Sequence, residues 1–120
     1  YTDHSANIVG LGRVSDAELK WLYSSTTVLV ASAQEDFGLT VLEANLEGTP
    51  VATIPAGGYL ETVAEGINGF MASAAEPRML ASAIMDAMSL ESPSCQDWAL
   101  EFSVDKHIQL LEGALARVSQ

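Results

Sequence analysis

Glu35 and Glu43 stand with seven residues between them, and the intervening string reads Asp36-Phe37-Gly38-Leu39-Thr40-Val41-Leu42. An apolar helical periodicity begins just after Gly38, so one carboxylate precedes a helix and the other lies one turn inside it. Helical side chains tilt toward the N-terminus, which lets Glu43 point back to the helix mouth. Gly38 in turn admits a ligand close to the free amides of Leu39, Thr40 and Val41. Those amides and the helix dipole favour an anion. The chemistry this predicts is divided: a diphosphate on backbone amides, and sugar hydroxyls on two carboxylates that accept their hydrogen bonds. The plain alternative is that Glu43 and Glu47 form a solvated helix face and that Glu35 is a loop charge favoured by the dipole.

The elements that must position these groups alternate between two periodicities. Residues 7–11, 27–31 and 51–54 are β-rich runs, each followed by a turn and then a helix, which predicts an α/β fold with a Rossmann-like parallel sheet. In such a sheet the connections leaving the carboxyl ends of the strands share one edge, and ligands bind there near the point where strand order reverses. Three loops qualify, at residues 12–15, 32–38 and 55–58. All are dominated by small residues, which let amides come close to a ligand.

The first helix starts at Ser15, where Ser15-Asp16-Ala17-Glu18 fits the reciprocal capping pattern and Leu19, Leu22 and Tyr23 form a buried stripe. The second follows Gly38, with Leu39, Leu42 and Leu46 as its inner face, and stops at Gly48. A third begins near Pro77 and repeats Leu80, Ile84 and Met88 at one-turn spacing. Beyond a loop around Pro93, a last helix is expected from about Ser103, with Val104, Ile108, Leu111, Leu115 and Val118 on one face.

Bulk properties narrow the function further. The chain has 120 residues, 48% hydrophobic content and a net charge of −11 from 16 acidic and only 5 basic residues. That balance argues against nucleic acid, which needs a basic footprint, and against direct contact with an anionic membrane surface. No apolar run is long enough to span a bilayer. One cysteine, Cys95, excludes an internal disulfide framework, and His4 and His107 are too far apart in sequence to suggest a metal pair, so no metal is expected. Gly10-Leu11-Gly12-Arg13-Val14-Ser15 approaches the dinucleotide fingerprint, but Ser15 fills the third glycine position and serves better as a helix cap. Gly57-Gly58 fits either a turn needing positive φ or a ligand contact, and Arg13 fits either a phosphate or base contact or an exposed salt bridge.

The string from Glu35 to Glu43, followed by Ala44, Gly48, Thr49, Pro50 and Gly57-Gly58, closely resembles the GT-B glycosyltransferases of the large retaining group 1 (family 4-like) class. The resemblance also takes in Leu11-Gly12-Arg13-Val14, Gly57-Gly58-Tyr59-Leu60-Glu61 and residues 66–70. It implies that Glu35 is the catalytic-site carboxylate, meeting donor-sugar hydroxyls with help from amides at Phe37, Gly38 and Leu39. It further implies that Glu43 binds the ribose, that the amides of Thr40 and Val41 meet the diphosphate, and that Gly12, Arg13 and Val14 lie beside the base. Asp36 stands where the family usually has glycine, and Ala31 where proline is common.

On this resemblance, residues 1–120 form part of the C-terminal donor-binding domain, with terminal helices at about 94–118. Residues 7–11 would be the domain's third strand. The first two strands, the basic pair that neutralises the departing diphosphate, and the N-terminal acceptor domain would lie outside the chain. The expected activity is retaining, metal-independent glycosyl transfer from a nucleotide sugar such as a UDP- or GDP-sugar, with no other cofactor. The expected compartment is cytoplasmic, any membrane association coming through other parts of the protein. The alternative is a non-catalytic GT-B-like module that binds a nucleotide sugar or a partner subunit.

Overall fold

The computed structural model describes residues 7–33 and 38–102. Glu35, Asp36 and Phe37, and the helix expected from Ser103 to Val118 with His107, lie outside the described residues.

Helix α1 spans Asp16–Ser25. Its start is fixed locally. The Glu18 N–H donates to Ser15 Oγ and the Ser15 N–H donates to Glu18 Oε1, each at 3.2 Å, so two amides that the helix leaves open are satisfied reciprocally. Hydrogen bonding to the carboxylate by Ser15, from its hydroxyl first and its backbone N–H second, holds the Glu18 carboxyl below its ordinary range. Tyr23 is buried, while Leu19 and Leu22 are half-buried.

Three strands follow, β1 at Leu29–Ala31, β2 at Val51–Thr53 and β3 at Gly69–Met71, all parallel in the order β1-β2-β3. Leu29 pairs with Val51, and Val51 pairs in turn with Gly69. Gly69 is required here, because a Cβ would meet the Val51 carbonyl oxygen and Cγ2 across the ladder. Residues 7–11 are not a strand, and Ile8, Val9 and Leu11 are exposed. A strand exists only if a neighbour accepts its ladder, and none of the described strands lies beside this run.

Helix α2, Leu39–Leu46, crosses from β1 toward β2, and a short helix α3 occupies Tyr59–Thr62. The buried side of α2 is Val41, Leu42, Ala44 and Asn45; Leu39 and Leu46 are exposed, contrary to the leucine stripe expected from periodicity. The reason is that α2 packs on the sheet, on α1 and also on helix α5, Ser92–Leu100. Small residues such as Ala44 sit where elements approach closely, and the longer leucines are left at the rims. Pro93 lies in the first turn of α5 instead of in a loop, as its preset φ permits. Helix α4, Pro77–Ala87, also begins on its proline; Leu80 and Ile84 pack inward, whereas Met88 caps the end and is exposed.

The sheet thus separates two apolar clusters. Tyr23, Ala31, Val41, Ala44, Val51, Tyr59 and Val63 fill the α2 side, and Ala52, Ala72, Ala83 and Ala87 fill the α4 side. Val51 and Ala52 face opposite ways, as the two-residue strand period demands. The α2 side also buries a polar network. Asn68 Nδ2 donates to Asn45 Oδ1 and to the Thr62 carbonyl, both at 2.8 Å, and Asn68 Oδ1 accepts from the Ala64 N–H at 2.7 Å. Asn45 Nδ2 donates to the Thr49 carbonyl at 2.9 Å, and Trp98 Nε1 donates to the Thr62 carbonyl at 2.8 Å. These bonds tie α2, α3, α5 and the approach to β3 into one frame.

Candidate functional site

The mouth of α2 is shaped by Gly38, which caps the helix in the left-handed region at φ 79°. A Cβ there would lie 2.8 Å from Thr62 Oγ1 and 3.3 Å from Tyr59 Cδ1, and Gly38 also abuts the Gly58 backbone. Two of the three loops at the carboxyl edge therefore touch. Tyr59, fully buried, reinforces the junction by donating its hydroxyl hydrogen to the Ala33 carbonyl at 2.6 Å, on the segment that leads to residues 34–37. Burying such a ring stabilises the junction by roughly 2 kcal/mol or more.

The amides at this mouth are not equivalent. The Val41 N–H donates to the Gly38 carbonyl at 3.1 Å, so Val41 does not offer the free amide that was expected of it. Helix α2 tightens at its first turn, and an i to i−3 bond consumes that donor. The Leu39 amide has no acceptor among the described residues, and the Leu39 side chain faces solvent. In the neighbouring loop Gly57 has positive φ, 56°, whereas Gly58 is right-handed and caps α3. The Leu60 and Glu61 amides donate back to Gly57 and Gly58. Turn geometry thus accounts for Gly57, whereas Gly58 has ordinary right-handed angles and is buried beside Gly38.

Glu43 lies one turn along α2, about 6 Å from the mouth at 1.5 Å per residue. Its Oε2 accepts a hydrogen bond of 3.2 Å from the Tyr23 hydroxyl. The carboxylate borders an open groove of about 330 Å³ between α1 and α2, lined also by Leu19, Lys20, Leu46 and Glu47. Lys20 Nζ stands 3.9 Å from Glu47, and among the described residues no salt bridge reaches Glu43. Gly12, Arg13 and Val14 precede α1 on the surface, and Gly12 has φ 66° with open space around it. Among the described residues no hydrogen bond or ion pair joins them to the α2 mouth. Arg13 forms no salt bridge there either.

Tyr23 and Tyr59 are the functional candidates that sequence reasoning passed over, since an aromatic at a core position reads as packing alone. The available signal was chemical: a buried tyrosine hydroxyl needs a partner, and each of these reaches a loop or carboxylate of the site. Among the described residues no group of three His, Cys, Asp or Glu side chains is placed to hold a metal ion, and no helix is long and apolar enough to cross a membrane.

A parallel α/β sheet with a glycine-capped helix mouth at its carboxyl edge defines a class, and comparison with known proteins gives the family. Residues 2–101 match the family described as "Glycosyl transferases group 1", and the chain belongs to it. It is 38% identical over 64 residues to a D-inositol 3-phosphate glycosyltransferase of Frankia alni, covering 53% of this chain and 16% of that protein. It is 39% identical over 72 residues to the enzyme of the same name from a Nocardioides species, covering 59% and 16%. Among solved structures, Anabaena Alr3699/HepE in complex with UDP and glucose superposes with a TM-score of 0.70 at 28% identity, covering 89% of this chain and 31% of that one. The same protein in complex with UDP-glucose gives 0.65 at 27% identity, covering 83% and 30%. The fold is that of a GT-B glycosyltransferase. The chain spans about a sixth of the length of these curated relatives.

Proposed function

We propose that residues 1–120 are the donor-binding part of a glycosyltransferase that moves a sugar from a nucleotide sugar to an acceptor with retention of configuration and without a metal ion. The observation that carries this reading is the α2 mouth: a left-handed glycine cap, a Leu39 amide with no acceptor among the described residues, and the Glu43 carboxylate one turn further on. A nucleoside diphosphate is long enough to engage both. The diphosphate would lie on the mouth amides of Gly38, Leu39 and Thr40, where the helix dipole favours anions, and the ribose hydroxyls would donate to Glu43. Glu35 and Phe37, which precede the cap in sequence, would meet the donor sugar, and Gly12, Arg13 and Val14 would flank the base. The likeness to a protein that holds UDP and glucose supports a nucleotide-sugar donor.

In this reading the helix end and oriented amides stabilise the leaving diphosphate, a role for preorganised donors that needs no protein base at the departing oxygen. The acceptor, the basic groups that complete diphosphate neutralisation and a cytoplasmic site of action are assigned to the remainder of the protein. The test incubates the full protein with UDP- and GDP-sugars and an acceptor panel in the presence of a chelator, and reads the anomeric configuration of the product by NMR. Transfer with retention that survives chelation is the expected result. Donor binding without transfer across the panel would instead indicate the non-catalytic module, and an inverted product or chelator-sensitive transfer would refute the mechanism.

A further inference from the structure

We propose that Tyr23 is a positioning residue, holding the Glu43 carboxylate in the orientation that receives the nucleotide; the proposal rests on the reading of Glu43 as the ribose ligand. An exposed glutamate on a helix has three rotatable bonds and samples many orientations, so ordering it on binding costs entropy. Tyr23 removes part of that cost beforehand. Its phenol donates to Oε2 of Glu43 at 3.2 Å, leaving Oε1 with its lone pairs for ligand hydroxyls.

The post is itself rigid. The Tyr23 ring belongs to the apolar cluster with Ala31, Val41, Ala44, Val51, Tyr59 and Val63. Its carbonyl accepts a hydrogen bond from the buried Thr49 hydroxyl. The donor is also neutral. The nearby cation, Lys20, pairs with Glu47 at 3.9 Å, so among the described residues no ammonium competes with ligand hydroxyls for the Glu43 carboxylate.

The experiment uses calorimetric titration of the full protein with UDP and GDP, and with the 2′,3′-dideoxy form of whichever binds. Wild type, Tyr23→Phe, Glu43→Ala and the double variant are compared. The readout is the preference for the ribonucleotide over its dideoxy form within each variant, which general loosening of the fold would not change. Glu43→Ala should abolish the preference. Tyr23→Phe should reduce it about threefold to tenfold, the range for loss of one net hydrogen bond, and should add nothing when combined with Glu43→Ala. If Glu43→Ala abolishes the preference while Tyr23→Phe leaves it intact, or weakens both nucleotides equally, the role of Tyr23 is overturned and that of Glu43 stands. If wild type binds neither nucleotide or shows no preference, or if Glu43→Ala retains it, the Glu43 reading fails and the proposal fails with it.

Discussion

Gly38→Ala isolates the geometry on which the helix mouth depends. Gly38 has φ 79°, a left-handed conformation that costs a residue with a Cβ about 1–2 kcal/mol. The added carbon would lie 2.8 Å from Thr62 Oγ1, and that hydroxyl is buried and donates to the Gly58 carbonyl at 3.1 Å. Moving it forfeits the bond, for roughly 1 kcal/mol more. The second neighbour, Tyr59 Cδ1 at 3.3 Å, belongs to a ring fixed by its bond to Ala33 and cannot swing away cheaply. The sum is about 2–4 kcal/mol. Gly66→Ala supplies the control, because Gly66 has the same φ of 79° but nothing within 4 Å of the added carbon, so only the backbone cost of about 1–2 kcal/mol applies. Urea unfolding of both variants against wild type measures the difference, and titration with UDP measures the consequence at the mouth. Gly38→Ala should be the less stable by about 1–2 kcal/mol and should bind UDP more weakly than Gly66→Ala does. Equal destabilisation by the two substitutions would show that the contact between the loops does not constrain Gly38, and would refute the reasoning.

Asn68→Ala should cost roughly 3 kcal/mol, because it strands the Ala64 N–H and Asn45 Oδ1, although the Thr62 carbonyl keeps Trp98 as a donor. A loss under about 1 kcal/mol in chemical denaturation would mean that the network is not a fixed frame. Ser15→Ala should destabilise by about 1 kcal/mol near neutral pH through loss of the cap. Glu18 has a lowered pKa in the fold, so its contribution is present above the ordinary carboxylate range and disappears as pH falls through the lowered value. The melting temperatures of wild type and Ser15→Ala should therefore converge on acidification, and a gap that widens would contradict the assignment. Burial raises the pKa of the Cys95 thiol, and Cys95 is fully buried. A thiol reagent should modify it far more slowly in the native protein than in urea, and equal rates would show that the packing of α5 against α2 and residues 67–68 does not cover it.

What the sequence determined by itself was mostly local. Ser15 with Glu18, Gly38 ahead of a helix, Gly48 after it and Pro77 in a first turn are short-range signals, and each governs hydrogen bonds or backbone angles within a few residues. The alternation of strand and helix patterns likewise gave the α/β class, and the string around Gly38 gave the family. The tertiary structure decided everything that depends on a distant partner. Residues 7–11 have the composition of a strand, yet no described neighbour offers them a ladder. Residues 69–71 are short and begin on glycine, yet form β3 because β2 lies beside them and tolerates no Cβ at Gly69. The buried side of α2 shifted from Leu39 and Leu46 to Val41, Ala44 and Asn45 because α5 packs on it as well as the sheet. Glu43 was legible as a candidate from its spacing, but the Tyr23 hydroxyl that holds it comes from 20 residues away on another helix, a contact that only folding creates.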